Sequence, residues 1–162
     1  MQNKSALSKV LLFMLALLTW EIMPAFAQAN AGDKNSPKEK SLYERLGGVY
    51  PIATVVDSFI EKLLVNDVLN ANPAIKEARD RVPKAGLKYR VTALVCQVTG
   101  GTETYTGRSM KDAHVHLNIS EKEWNAMVAD FKKTLDEFMV PAKEQNELIS
   151  IVESTKKDIV VK

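Results

Sequence analysis

The sequence predicts an all-α domain, and three observations carry that prediction. Several stretches repeat apolar residues at intervals of three and four, which is the period of one helical face. Two predicted helices are preceded by a serine with glutamate three residues later, the pattern of a capping box at a helix start: Ser41-Leu42-Tyr43-Glu44 and Ser120-Glu121-Lys122-Glu123. Glycines and prolines separate the periodic stretches and mark their ends.

The first 27 residues have the pattern of a secretory signal peptide. Lys4 and Lys9 precede an apolar run, and small residues follow where a signal peptidase cuts, in Pro24-Ala25-Phe26-Ala27. The alternative is a retained membrane anchor, but the uncharged run from Val10 to Trp20 is shorter than the roughly 20 apolar residues that a span needs. We therefore expect cleavage after Ala27 and a periplasmic or otherwise exported protein, with no membrane contact afterwards.

The remaining chain is expected to be a flexible polar leader over residues 28–40 and one domain over residues 41–162. Removing residues 1–27 takes Lys4, Lys9 and Glu21 from the 22 basic and 20 acidic residues, which leaves a net charge of +1. A balance so near zero argues against nucleic acid as a partner. Cys96 is the only cysteine, and we interpret it as a small buried hydrophobe rather than a reactive thiol.

The domain begins with two predicted helices. A short one from Leu42 to Leu46 ends at Gly47-Gly48, and Pro51 lies in the first turn of the next. The apolar face of that second helix is Ile52, Val55, Val56, Phe59, Ile60, Leu63 and Leu64. The stretch from Asn66 to Pro83 is expected to be irregular, with a helical turn or two from Ala74 to Asp80.

Three longer predicted segments complete the domain. The segment after Pro83 is interpreted as a helix because of its spacing, although its β-branched residues also allow a strand. Its predicted inward stripe is Leu87, Val91, Leu94, Val95 and Val98. The helix behind Ser120 has the stripe Trp124, Met127, Val128, Phe131, Leu135 and Phe138. The last helix starts at Pro141 and faces inward with Leu148, Ile149, Val152, Thr155 and Ile159.

Both histidines lie in one stretch, at positions 114 and 116, so its conformation decides their roles. In a strand, His114 and His116 would share a face and form half of a zinc or copper site. The sequence offers no convincing third ligand, because it has no other histidine and Cys96 is remote. The flanking helices favour a helical interpretation instead.

In a helix from Ser109 to Leu117, the two histidines point roughly 200° apart. Met110, His114 and Leu117 then share an apolar face, and His116 pairs with Asp112 at the surface. A single histidine on an apolar face is either a ligand or a core residue whose ring bonds to a carbonyl. The spacing alone leaves both alternatives open.

The combined motifs resemble the group 1 truncated haemoglobins over residues 41–160. The similarity includes "LYERLGG" at 42–48, "DSFIEKLL" at 57–64 and Val140-Pro141, and it is densest over "TGGTETYTGRSMKDAH" at 99–114. This resemblance implies a shortened globin, in which helices form a two-over-two sandwich around haem b. Thr155 stands where some relatives have a histidine that cross-links to haem, so we expect non-covalent binding.

The resemblance also implies site residues. His114 would be the proximal iron ligand, with its other ring nitrogen held by a backbone carbonyl. Arg108 matches an arginine that pairs with a haem propionate, the alternative being a solvated charge, and Tyr105 lies in the same segment, the alternative being packing within the turn. The remaining expected cofactor contacts are Met110, Leu117 and Ile119 beside His114, and Phe59, Ile60, Leu87, Arg90, Val91 and Leu94 on the distal side.

The distal positions depart from the group 1 pattern. Ile60 stands where the family usually has a tyrosine, Leu87 and Val91 stand where glutamine is frequent, and Asn72-Pro73 replaces an aromatic pair. We therefore expect a five-coordinate iron with an apolar distal pocket that binds oxygen, nitric oxide or carbon monoxide and receives electrons from an unidentified donor. Alternatives are a haem-free globin-fold interaction or sensor module and a protein with weak nitric oxide dioxygenase or peroxidase-like activity.

Overall fold

The computed structural model describes residues 39–161, so the predicted signal peptide and most of the predicted leader lie outside the described residues. The regular secondary structure in that range is all helical, apart from an isolated parallel β-bridge between Ile119 and Val160. The all-α prediction is thereby confirmed. Over the same range, no helix combines the length and apolar character that crossing a membrane requires.

The helices are numbered here in chain order within residues 39–161. They are α1 Leu42–Arg45, α2 Val49–Val65, α3 Asp67–Asn70, α4 Pro73–Arg81, α5 Lys84–Val98, α6 Met110–His114, α7 Glu121–Glu137, α8 Ala142–Ser154 and α9 Lys156–Ile159.

Both predicted capping boxes form. At α1, the Ser41 hydroxyl accepts a hydrogen bond from the Glu44 N–H at 3.2 Å, and the Ser41 N–H donates to the Glu44 carboxylate at 2.7 Å. At α7, the Ser120 N–H donates to the Glu123 carboxylate at 2.6 Å. The turn after α1 uses Gly47 and Gly48 with φ of 89° and 85°, a conformation that favours glycine, so the predicted stop is confirmed.

The long helices pack as two pairs. Helix α2 lies against α5 and also against α7, and α7 in turn packs on α8, which gives the two-over-two sandwich. Three apolar clusters of buried residues form the core: Ile52, Val56, Ile60 and Cys96; Leu42, Leu135 and Leu148; Ile119, Trp124 and Val128. The predicted faces of α2 and α7 supply most of these side chains.

The predicted inward stripe of α5 is partly wrong. Ala93 and Cys96 are its buried residues, whereas Val98 is 45% exposed. The stripe differs from the prediction because the side of α5 that faces α2 includes Lys88 and Cys96. Lys88 forms ion pairs with Asp57 and Glu61 of α2, and Cys96, two turns further along the same side, enters the cluster of Ile52, Val56 and Ile60.

The prediction for residues 66–83 is partly wrong: the helical turns expected from Ala74 to Asp80 are confirmed as part of α4, but α3 forms where an irregular stretch was expected. Asn66 and Asn72 each begin a helix. The Asn66 side-chain oxygen accepts from the N–H groups of Val68 and Leu69, and that of Asn72 accepts from Ala74 and Ile75. Asparagine satisfies the free N–H groups of a first helical turn, and Pro73 occupies the first helical position.

Three smaller predictions fail at helix ends. Helix α6 stops at His114 rather than Leu117, so His116 lies outside it and the expected ion pair with Asp112 does not form; the Asp112 carboxylate accepts from the Ser109 hydroxyl at 2.7 Å instead. Phe138 is the C-cap of α7 and is 38% exposed. The last predicted helix is divided at Thr155 into α8 and α9.

Candidate functional site

The short helix α6 presents the ring of His114. Ser109 caps its start, because the Ser109 hydroxyl accepts from the Asp112 N–H at 3.1 Å. One turn later, His114 Nδ1 lies 2.7 Å from the carbonyl oxygen of Met110. A carbonyl only accepts, so Nδ1 carries the proton and the lone pair is on Nε2. The expected bond from the ring to a backbone carbonyl is confirmed, and Nε2 is left available for a ligand.

The surroundings of His114 keep its ring neutral. Burial is the largest effect and lowers the pKa of His114 below the usual value. The hydrogen bond to the Met110 carbonyl raises the pKa and so opposes that shift, while charge repulsion from His116 and Arg108 lowers the pKa further. A neutral imidazole is the form that binds a metal ion. Nε2 is therefore a competent ligand atom at neutral pH.

The segment after His114 is held by residues far away in the chain. The Leu117 carbonyl accepts a hydrogen bond from the Asn72 side chain at 2.9 Å, and the Ile119 carbonyl accepts from the Val161 N–H at 2.9 Å. The third core cluster includes Ile119 itself, with Leu117 packed against it. The predicted residues Leu117 and Ile119 thus lie together beside Trp124, on the α6 side of the domain.

Tyr105 and Arg108 form a turn just before α6. The Tyr105 hydroxyl donates to the Arg108 carbonyl at 2.9 Å, and the Tyr105 N–H donates to Gln97 Oε1 at 2.7 Å. A Cβ on Gly107 would stand 2.1 Å from the Tyr105 hydroxyl, so this close approach requires glycine. Tyr105 therefore packs within its own turn, as the alternative interpretation expected. A contact between Tyr105 and the cofactor remains a prediction.

The predicted distal residues come together between α2 and α5. Ile60 is 3% exposed, and Phe59, Leu87 and Val91 pack against its cluster. The ring of Phe59 also meets that of Phe131 edge-on, with centroids 5.2 Å apart. None of the four predicted side chains in this group carries a hydrogen-bond donor. Leu94 is partly buried outside this cluster, and Arg90 is exposed.

Cys96 completes this apolar group. It is fully buried, and burial, followed by the influence of Glu103, raises the pKa of its thiol to about 11. The group is therefore an uncharged thiol at neutral pH, and its interpretation as a buried hydrophobe is confirmed.

Within residues 39–161, no group of three or more histidine, cysteine, aspartate or glutamate side chains could hold a metal ion. The zinc or copper half-site considered for His114 and His116 therefore has no third ligand there. A single imidazole with a free Nε2 suits a cofactor that needs one protein ligand only.

The profile of one protein family, described as bacterial-like globin, matches residues 41–161. The chain belongs to the bacterial-like globins. Within them it is a group 1 truncated haemoglobin: the group 1 protein of a Synechocystis species is 32% identical over 105 residues, which are 62% of this chain and 80% of that relative. The group 1 protein of Tetrahymena pyriformis is 26% identical over 125 residues, which are 77% of this chain and 98% of that relative.

Solved structures of truncated haemoglobins have the same fold as this globin. The crystal structure of the truncated haemoglobin from Tetrahymena pyriformis in its Fe(III) form superposes with a TM-score of 0.64 at 26% identity, covering 76% of this chain and all of that one. The 2/2 haemoglobin from a Synechococcus species, in the cyanomet state with covalently attached haem, gives a TM-score of 0.63 at 26% identity, covering 75% and 98%. The prediction of a shortened two-over-two globin is confirmed.

The residues of this globin fit a haem. His114 supplies a neutral imidazole whose tautomer is fixed by Met110, and the four distal side chains gathered near Ile60 offer only hydrocarbon. Arg90 and Arg108 are exposed and make no ion pair within residues 39–161, so either can meet an anionic propionate. The predicted roles of these two arginines remain predictions.

Sequence reasoning missed the residues that hold the α6 region of the globin in place. Asn72 and Val161 act through single hydrogen bonds to backbone carbonyls, and neither a periodic pattern nor a motif signals such contacts. The sequence predicts helical turns from Ala74 to Asp80, but not the cap that Asn72 forms at the start of α4. Asn-Pro followed by a helical turn is the local signal that would have found the cap.

Proposed function

We propose that this truncated haemoglobin binds haem b non-covalently through His114 and binds a diatomic gas on the opposite, apolar side. The observation that carries the proposal is the hydrogen bond from His114 Nδ1 to the Met110 carbonyl, since it fixes the tautomer in which Nε2 has the lone pair. Haem supplies an iron centre at which oxygen, nitric oxide or carbon monoxide binds.

On the side of His114, the protein's task is to present a neutral ring in one orientation. The Met110 carbonyl fixes the tautomer and polarises the ring, which strengthens Nε2 as a donor. Burial keeps the ring unprotonated, so a proton does not compete for Nε2 near neutral pH. Met110 and Leu117 supply partly buried apolar surface around the ring, as a flat hydrophobic macrocycle requires.

On the opposite side, the apolar residues set the preference among gases. A bound oxygen carries partial negative charge, and a hydrogen bond to such a charged group is worth about 1.5–3 kcal/mol. Ile60, Leu87 and Val91 carry no donor, so oxygen should leave about tenfold to a hundredfold faster than from a site with a tyrosine at position 60. Carbon monoxide and nitric oxide depend less on a donor. The site therefore favours these two gases.

An apolar cleft beside the first half of α2 supports the entry of a gas into the core. It has a volume of about 370 Å³, and its lining includes Ile52, Val56 and Val95 next to Ile60's cluster, together with Phe131 and Leu148. A small uncharged molecule enters such a lining without losing hydrogen bonds to water. Ile52 and Val56 belong to the same buried cluster as Ile60, so a gas in this cleft would lie against the α2 side of the core rather than beside α6.

The direct test is expression with haem supply, followed by absorption spectroscopy of three proteins. Wild type and His116→Ala should show a Soret band, while His114→Ala should lose it. His116 is a matched control because it is exposed and lies outside α6. A Soret band that survives in His114→Ala would reject His114 as the ligand. Its absence from wild type would support the haem-free module instead.

We further propose export of the protein after cleavage at Ala27, with an unidentified donor that reduces the iron outside the cytoplasm. The support is the pattern of residues 1–27, in which Lys4 and Lys9 precede an apolar run and small residues end it. Intact mass of the protein from a secretion-competent host should correspond to a chain that starts at Gln28. A mass of the full 162 residues would reject cleavage.

A further inference from the structure

Two asparagines occupy equivalent places at the start of consecutive helices. Asn66 caps α3 and Asn72 caps α4, each with its side-chain oxygen on two backbone N–H groups. Each also has a side-chain NH2 that reaches a distant segment. That of Asn66 donates to the Asp130 carboxylate of α7 at 2.7 Å, whereas that of Asn72 donates to the Leu117 carbonyl at 2.9 Å.

Leu117 connects Asn72 directly to the backbone of His114. The Leu117 N–H donates to the His114 carbonyl at 2.8 Å, while its own carbonyl accepts from Asn72. The turn next passes through Asn118 at a φ of 49°, a left-handed conformation that non-glycine residues seldom adopt. Such a turn persists where its surroundings hold it.

Helix α6 cannot hold its own position. It has five residues, and helices shorter than about 12 residues are marginal without outside contacts. The outside contacts come from two directions. Helix α9 packs against α6, and Val161 bonds to Ile119 on the C-terminal side, while Asn72 bonds to Leu117 from the α3–α4 corner.

We propose that Asn72 is a positioning residue that fixes the orientation of His114 through the Leu117 turn. The inference rests on the proposed function, since the orientation matters because Nε2 is to hold an iron. With the Asn72 bond in place, the turn cannot shift without leaving the Leu117 carbonyl unpaired. Without it, α6 is restrained from the α9 side only, and the ring can tilt relative to a flat cofactor.

The variant that removes this bond is Asn72→Ser, which also removes the hydrogen bond between the Asn72 side chain and the Glu123 carboxylate of α7. Serine caps a helix nearly as well as asparagine, but its side chain is too short to reach Leu117. Asn66→Ser is the matched control, because it keeps the cap of α3 and loses only the contact with Asp130. Asn72→Asp is the second variant, since it keeps the capping oxygen and removes the NH2 donor. It replaces Asn72→Ser in the experiment if that variant fails to fold.

Two readouts are measured on the protein as purified with haem. The first is amide hydrogen exchange at Leu117, which should become roughly two- to tenfold faster in Asn72→Ser because one restraining hydrogen bond is lost. The second is the iron–histidine stretching band in the resonance Raman spectrum of the gas-free ferrous protein. That band should broaden and move to lower frequency, because a tilted ring bonds iron more weakly.

The proposal requires both changes in Asn72→Ser and neither in Asn66→Ser. Faster exchange with an unmoved stretching band would overturn the positioning role and leave Asn72 a purely structural cap. Unchanged exchange, or equal shifts in both variants, would overturn it as well. If wild type contains no haem, the proposed function has failed; if wild type shows the band and Asn72→Ser leaves it in place, only this inference has failed.

Discussion

The proposed distal and proximal sides of this globin are built in different ways. On the distal side, Ile52, Val56 and Ile60 follow each other at every fourth residue of the 17-residue helix α2 and pack against α5. On the proximal side, His114 ends a helix of five residues. Its neighbours are held by hydrogen bonds from Asn72, which lies 45 residues before Leu117, and from Val161 near the end of the described chain.

The difference shows which interactions tolerate change. Apolar packing is non-directional, so the distal side can exchange one hydrocarbon side chain for another and keep its shape. This freedom is consistent with Ile60 at the position where the family resemblance leads us to expect a tyrosine. Hydrogen bonds to single carbonyls depend on distance and direction, so the proximal side has few ways to keep its geometry. Substitutions should therefore alter ligand chemistry on one side and cofactor attachment on the other.

The largest expected effect on stability comes from Trp124→Ala. Trp124 is 1% exposed in the cluster against which Leu117 packs, and removing a buried aromatic side chain costs about 3–5 kcal/mol of unfolding free energy. Chemical denaturation measures this loss. Trp124→Phe is the control and should lose less, because it keeps a ring in the cluster. A loss below about 1 kcal/mol in Trp124→Ala would show that the cluster does not support the proximal side.

A smaller change in free energy, with a large kinetic consequence, is expected for Ile60→Tyr. A hydroxyl on the distal side can donate to a bound oxygen, so oxygen release should slow by about tenfold to a hundredfold. Stopped-flow displacement of oxygen by carbon monoxide measures the rate. Ile60→Phe introduces the ring without the hydroxyl and separates crowding from hydrogen bonding. Equal rates in the two variants would mean that position 60 does not face the gas.

The smallest effect is a pH dependence that belongs to neither side. Glu144 of α8 is 7% exposed, and Arg45 of α1 donates to it from Nε at 2.9 Å. This bond, with a smaller contribution from the backbone of Glu144, lowers the pKa of the carboxyl below the usual 4.5. The unfolded chain then takes up a proton before the folded protein does. The stability that the bond contributes is therefore present above pH 4.5 and is lost as pH falls through the lowered pKa.

Glu144→Gln removes the charge and keeps the shape. Its deficit in unfolding free energy relative to wild type should be largest at neutral pH and should shrink as pH falls below 4.5. Urea denaturation at a series of pH values measures the deficit, and haem spectra of the variant should match wild type. A deficit that is constant with pH would mean that the Arg45 contact contributes nothing through charge.

The two sides also differ in how much of them the sequence predicts. Ile52, Val56 and Ile60 were predicted to face inward because burial imposes a period that can be counted along α2. The bond between His114 and a carbonyl was expected from the family resemblance and also from the alternative of a core histidine, and it forms to Met110. The end of α6 at His114 and the bond from Asn72 to Leu117 could not be predicted. They depend on segments that the fold brings together and that no local pattern links.

The central claim is that His114 provides the iron with its one ligand from the protein and that no group opposite competes for it. The visible absorption spectrum of the ferrous protein, prepared without any gas, tests this most directly. We predict the single broad visible band of five-coordinate haem, converted by carbon monoxide to a six-coordinate spectrum. Two sharp bands before any gas is added would reveal a second protein ligand and contradict the account of an apolar, donor-free distal side.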